Sequence, residues 1–368
     1  MIEENKLIFI IFFLFSLIVS AAIVRQKIEW KGSVDEKDGV KVIKNPKEPM
    51  YGEDIFSLEE ELSIGEREGK EEYIFSEIRH IAVDEQERIY IVDPKESHIK
   101  VFDRNGNYIR TIGKKGQGPG EIGRPRSVSI TSQNEIVVPD SGNRRLAFFT
   151  LEGEFIKNIS TAEMDLMTTR IDSKGNIIGI VAVKEEKNPR YELKKFDSDL
   201  NYLYSIGSSP LPNTRSFNPF MAVLRWDVYK DDQIVCGYPE KYEIKIFDKE
   251  GKLIRKIIKD YDPVEITKED INQVEKMPPT IKFSIPKYHP AYQWLMADDE
   301  GKVFVLTNER VERRGEYYYD IFDSEGKYIA KVPLKARPFA LKKGRLYSVE
   351  EDEEGYQVVK RYKVTWKY

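Results

Sequence analysis

One hairpin form recurs along this chain: a β-patterned run ending in an aromatic residue, a short turn written Phe-Asp-x-x-Gly-x in its clearest copies, and a second run. It stands at 99–112 (IKVFDRNGNYIRTI), 146–159 (LAFFTLEGEFIKNI), 193–206 (LKKFDSDLNYLYSI), 244–257 (IKIFDKEGKLIRKI) and 319–332 (YDIFDSEGKYIAKV), with a weaker copy near Tyr362. The hairpin phenylalanines fall at 102, 149, 196, 247 and 322, spaced by 47, 47, 51 and 75, and Tyr362 lies 40 further on. Each turn is expected to need Gly or Asn, because its positive φ costs Gly nothing and Asn little. Upstream of every hairpin lies a second strand pair of the type Ile-Ala-Val-Asp-x-x-x-x-Ile-Tyr-Ile-Val, at 81–92 and more loosely at 128–138, 169–181, 226–236, 295–306 and 339–349. Four strands in such a period make one blade of a propeller, and the copies count six.

The last blade, from about Arg337 to Trp366, holds only three strands. The β-run Ile55–Ile64 (IFSLEEELSI) precedes the first blade without a partner there. It is expected to supply the missing strand, closing the ring and covering an edge that would otherwise template aggregation. The sequence thus predicts an all-β, six-bladed β-propeller over 51–368, closed by its own N-terminal strand.

Ahead of it, residues 25–50 are polar, contain Lys-Asn-Pro-Lys-Glu-Pro at 44–49, and read as a linker. Residues Leu7–Val24 (LIFIIFFLFSLIVSAAIV) carry no charge over 18 positions. That length spans a bilayer and exceeds the roughly 7–15 residues of a signal-peptide core. Residues 1–24 therefore read as one transmembrane or signal helix. The chain is either a single-pass membrane protein with its propeller outside the cytoplasm, or a secreted or periplasmic one cleaved near Ala21, where Ser20, Ala21 and Ala22 are small. An insertion at 259–288 contains Thr267-Lys-Glu-Asp270, a capping signal for a short helix to about Lys276 that Pro278 and Pro279 would stop. It reads as a packed decoration or as a lid over one face.

Composition removes several function classes. Formal charge is −4, from 59 basic and 63 acidic side chains with neither sign segregated, so no nucleic-acid partner is expected. The single cysteine, Cys236, permits no internal disulfide and no Cys-based zinc site, and its apolar surroundings place it in the core. The acidic run Glu350–Glu354 reads as a solvated turn. Gly116-Gln-Gly-Pro-Gly120 lacks the following Lys-Ser/Thr of a phosphate loop and leads to Pro125, so it reads as a connector between blades. No Gly-x-Ser-x-Gly elbow occurs, and acidic pairs such as Asp298-Asp299 fall in turns where Asp caps the backbone. No residue pattern carries catalysis, and no cofactor is expected.

Where the innermost strands begin, Arg79, Arg126, Arg170, Arg225 and Arg337 recur in five of the six blades. Arginines gathered at a channel mouth suit bidentate recognition of carboxylate or phosphate. Setting Ile89, Ile136, Ile177, Ile234, Val303 and Leu346 as equivalent places Ser127, Thr168, Arg225, Trp294 and Arg337 opposite His80. Only His80 of the three histidines then lies at the channel, with His98 on an outer loop and His289 in the insertion, so no joint metal site is expected. The candidate ligand-binding residues are Arg79, His80, Arg126, Arg170, Arg225, Trp294 and Arg337.

The stretch Ile112-Gly-Lys-Lys-Gly-Gln-Gly-Pro-Gly-Glu-Ile-Gly-Arg-Pro125, with Pro139-Asp-Ser-Gly-Asn-Arg-Arg-Leu146, resembles the inter-blade connector and inner loop of NHL-type six-bladed propellers. Asp140, Asn143 and Arg145 match that family's loop positions, whereas the first blade departs from them with Glu96 and His98. The insertion before the fifth blade also resembles bacterial extracytoplasmic propellers. The resemblance implies a ring around a central channel and a binding or scaffold role toward a protein, glycan or anionic small ligand at the channel face. Some relatives are hydrolases or lyases, so a metal-dependent enzyme of the lactonase-like kind is the alternative. A structural module that organises an envelope complex through its blade edges is a third class.

Overall fold

The structure, a computed structural model, describes residues 29–164, 166–212, 218–274, 283–311, 316–335, 337–352 and 354–368. The apolar segment 7–24, the small residues at Ala21, and Lys276, Pro278 and Pro279 lie outside the described residues. Among the described residues no helix is long and apolar enough to cross a membrane.

The chain enters through β1 (Ser33–Lys37), β2 (Val40–Asn45) and β3 (Phe56–Ile64). The first blade follows as β4 (His80–Val83), β5 (Ile89–Asp93), β6 (His98–Phe102) and β7 (Tyr108–Ile112), and the second as β8 (Ser129–Ile130), β9 (Glu135–Asp140), β10 (Arg145–Thr150) and β11 (Phe155–Ser160). The third is β12 (Leu166–Ile171), β13 (Ile177–Val183), β14 (Arg190–Phe196) and β15 (Tyr202–Pro210), and the fourth β16 (Arg225–Val228), β17 (Ile234–Gly237), β18 (Glu243–Phe247) and β19 (Leu253–Lys259). The fifth is β20 (Trp294–Ala297), β21 (Val303–Arg310), β22 (Tyr317–Phe322) and β23 (Tyr328–Leu334), and the last β24 (Pro338–Lys342), β25 (Arg345–Glu351) and β26 (Gln357–Trp366). The described strands form six sheets, one per blade, and β3 pairs antiparallel with β26 from Val359↔Ile64 to Trp366↔Phe56. That is the closure expected from the sequence.

The repeating turn explains why the hairpins form. Asp103 Oδ1 accepts the N–H groups of Asn105 and Asn107, and Asp248 and Asp323 do the same for their own second and fourth neighbours. Each carboxylate thus holds its turn closed from within. The turn glycine also makes room for the preceding blade. A Cβ on Gly251 (φ +87°) would lie 2.5 Å from the Tyr204 ring of the third blade, and one on Gly326 (φ +90°) 2.8 Å from Ile257 of the fourth. The third hairpin departs from the expected Gly or Asn: Leu200 occupies that position at φ +67°. Its side chain packs against the cluster of Val137, Leu146, Phe148, Ile177 and Phe196, an apolar contact that a glycine would forgo.

The segment 25–50 departs from its linker reading. Residues 33–45 form a hairpin whose second strand, β2, adds in parallel to the outer edge of β19, making the fourth sheet six strands wide. Its polar composition hid the strands, because β1 is exposed throughout and only Ile43 and Asn45 of β2 are buried. Asp38-Gly39, both at positive φ between the paired Lys37 and Val40, is the two-residue turn that identifies it. In the insertion a helix, α1 (Lys268–Val274), begins where the capping signal lies, with Thr267 Oγ1 and Asp270 bonded to each other.

Candidate functional site

The first strands of the blades open at one end of the channel onto a cavity of about 670 Å³. Arg79, His80, Arg126, Arg170, Trp294 and Arg337 all line it. His80 and Trp294 open β4 and β20, and Arg79 and Arg337 each stand one residue before the first strand of their blade. The backbone N–H of Arg79 bonds Val92 O and that of Arg126 bonds Pro139 O, so both are held by ladder-like contacts although neither lies in a named strand. Arg225 is the exception among the candidates. It lines a neighbouring cavity of about 700 Å³ beside the insertion, and reaches the mouth only through Trp294, over whose ring its guanidinium lies 5.0 Å from the centroid.

Arg337 stacks on the same ring at 3.9 Å. Stacking fixes the plane of a guanidinium while leaving its N–H edge free to donate. Arg126 Nε donates to Ser141 Oγ at 3.0 Å, and Arg170 lies 3.6 Å from Asp227 while donating to Thr169 O. Burial, reinforced by Arg337, pushes Arg225 down to about 10. Burial also lowers Arg126 and Arg337, helped in the first by Arg124 and Arg79 and in the second by Arg79 and Arg170. A guanidinium keeps its proton in a protein at neutral pH. His80 is different: burial first, then Arg170, hold it well below its usual value, so its ring is neutral. The Val128 N–H faces His80 Nδ1 at 3.5 Å, which puts the ring proton on Nε2.

Two acidic residues escaped the sequence reading. Burial raises Asp227 against the opposing pull of Arg170, and its oxygens accept the N–H groups of Val228 and Ala297. Glu77 lines the mouth near Arg126. The available signal for Asp227 was a carboxylate two positions along the same strand from Arg225.

The loop residues matching the NHL pattern do structural work. Asp140 accepts the N–H groups of Gly123 and Arg124, Asn143 joins Asp140 to Gly116 O, and Arg145 donates to the carbonyls of Gln117, Gly118 and Glu121. They clamp the connector Gly116–Gly120 onto the second blade. In the first blade Asp93 takes this part, accepting the N–H groups of Ser76, Glu77, Lys95 and Glu96, while His98 Nε2 is buried without a partner among the described residues. His289 pairs with Asp270 at 3.3 Å in the insertion. Among the described residues no three His, Cys, Asp or Glu side chains gather in a group able to hold a metal ion. Cys236 lies in the core, where burial pushes its thiol up to about 12.

Fold and mouth together define a six-bladed propeller with an arginine-lined channel entrance. The chain belongs to the DUF5128 family of six-bladed β-propellers, which it matches over residues 66–354. A DUF4221-family protein of Bacteroides vulgatus shares the fold, with a TM-score of 0.54 at 16% identity over 86% of this chain and 100% of that one. The NHL-like character is shared with human proteins. The chain is 31% identical over 67 residues to the E3 ubiquitin-protein ligase NHLRC1, covering 18% of this chain and 17% of that protein. It is 42% identical over 52 residues to the E3 ubiquitin-protein ligase TRIM32, covering 14% and 8%. The chain thus spans less than a fifth of the length of these curated relatives.

Proposed function

We propose that this protein is a membrane-tethered propeller held outside the cytoplasm, and that it binds an anionic ligand at its channel mouth. One observation carries the binding reading: arginines from four blades line a single cavity, with a fifth stacked behind them on Trp294. Like charges gathered at one cavity repel one another, and an oxyanion ligand relieves that repulsion. The ligand sits on a small molecule, a glycan or a protein segment; the mouth recognises the oxyanion they share. The tether rests on the uncharged stretch Leu7–Val24.

Thermal melting of the detergent-solubilised full chain tests the binding reading, with citrate, pyrophosphate, acetate and inorganic phosphate each compared with sodium chloride at matched ionic strength. A ligand at a hundred times its Kd adds about 2.7 kcal/mol, so at least one anion is expected to raise Tm by several degrees. No rise with any of them overturns the reading. Protease treatment of intact cells expressing the full chain tests the tether: the propeller is expected to be degraded from outside while remaining in the membrane fraction. Recovery of the domain free of the membrane points instead to cleavage near Ala21.

A further inference from the structure

Three blades that follow one another around the ring, the last, the first and the second, place Arg337, Arg79 and Arg126 on the mouth. Contacts of β24 with β4 and of β4 with β8 make the three blades neighbours. Apart from Glu77, the one other carboxylate of that half of the mouth, Asp140, and its one other arginine, Arg145, are already engaged. Asp140 is held by backbone N–H groups, Asn143 and Arg145. On the opposite side Asp227 offsets Arg170. Among the described residues Arg79 and Arg337 have no ion-pair partner and Arg126 has only the Ser141 hydroxyl, so three guanidinium charges face the single carboxylate of Glu77.

The type of cation is informative. The chain holds 38 lysines and 21 arginines, yet among the described residues every lysine or arginine that lines the cavity is an arginine. A surface collecting positive charge for general reasons would follow the composition and use lysine. Arginine supplies a planar, bidentate fork matched to carboxylate and phosphate, which a lysine point charge does not. Trp294 holds one such fork, that of Arg337, in a set plane.

Resting on the anion-binding reading above, we infer that the ligand carries at least two oxyanion groups, carboxylate or phosphate, which bridge Arg337, Arg79 and Arg126. Three positive charges less one leave two to be matched, and the three guanidinium forks come from three different blades. The cavity, at about 670 Å³, takes a compact multivalent anion or the anionic end of a longer chain.

Isothermal titration of the detergent-solubilised full chain separates the possibilities, comparing acetate with citrate and inorganic phosphate with pyrophosphate at matched ionic strength. At least one multivalent anion is expected to bind on the order of tenfold more tightly than its single-group counterpart, and which pair shows the difference identifies carboxylate or phosphate as the recognised group. Arg337→Lys, which keeps the charge and loses the fork, is expected to remove most of that advantage. Arg79→Lys serves the same purpose should the first variant disturb Trp294, and the melting temperature of each confirms folding. Equal affinity for single-group and multivalent anions overturns this inference and leaves the anion site standing. Wild-type citrate and pyrophosphate affinity in both lysine variants overturns it as well. Failure of all four anions to bind overturns the reading beneath it.

Discussion

Asp320 shows how much one side chain holds in this ring. It is fully buried, accepts Tyr242 Oη at 2.6 Å and Tyr328 Oη at 2.5 Å, and lies 3.4 Å from Lys259 Nζ, itself buried between the rings of those two tyrosines. Burial pulls the Lys259 ammonium down while Asp320 pulls it back up. Asp320→Ala leaves a buried ammonium unpaired and is expected to cost about 3–5 kcal/mol, read as a fall in Tm. The turn aspartates are worth less. Asp248→Ala removes two hydrogen bonds from an exposed turn, with an expected loss of about 1–2 kcal/mol by denaturant titration. At Asp270, burial alone would raise the carboxyl, but Thr267, Arg310 and His289 outweigh it and hold it at about 2, against an ordinary 3.8. A depressed carboxyl contributes stability above its unfolded value and loses it as pH falls. The docking of the insertion is therefore expected to weaken between pH 3.8 and about 2, by at most about 2 kcal/mol, seen as a loss of amide-exchange protection across α1 relative to the intrinsic rate at each pH.

At the scale of elements, the entering hairpin is pinned by Asn45. Its Oδ1 accepts the Trp30 indole N–H and the Tyr328 N–H, and its amide donates to Ile258 O and Gly326 O. One side chain thus joins β2 to the fourth and fifth blades. Asn45→Ala leaves several of these buried groups unsatisfied, an expected cost of about 2–3 kcal/mol confined to the rim. Limited proteolysis should then cut within 33–45 before the rest of the chain unfolds, whereas the wild-type hairpin resists. From Asn45 the chain runs on past Tyr328 and Ile329 of the fifth blade, which accept the N–H groups of Met50 and Tyr51, and into β3. The N-terminal segment is therefore a strap over three blades.

For the molecule as a whole, ring closure depends on that strap's end. A chain beginning at residue 51 loses the hairpin and keeps β3, so it is expected to keep a cooperative melt at a lowered Tm without associating through an open edge. One beginning at residue 66 exposes the edge of β26, a strand of ten residues, and is expected to lose its cooperative melt and associate through that edge. Size-exclusion chromatography and calorimetry on the two truncations check this. The mouth is likewise a property of the closed ring, since its arginines come from blades that meet only when the first and last are joined.

The blade count, the closing strand and the inner positions of Arg79, His80, Arg126, Arg170, Trp294 and Arg337 were legible in the sequence, because a repeat makes each blade a template for the others. Local chemistry repeats with it: the turn aspartates, and the glycines that face the preceding blade. The rim hairpin at 33–45 was not, because a surface strand buries too little to show a period, and its Asp38-Gly39 turn was the only mark it left. Nor was Leu200, whose strained backbone is held by apolar packing from the second and third blades, between residues tens of positions apart. Which arginines share a cavity, and that Arg225 stands behind Trp294 instead of beside Arg337, were settled by side-chain direction and by the stacking partners each found. Periodicity along a chain specifies which residues begin the inner strands; only the closed ring sets which of their charged ends meet and which find a counter-charge.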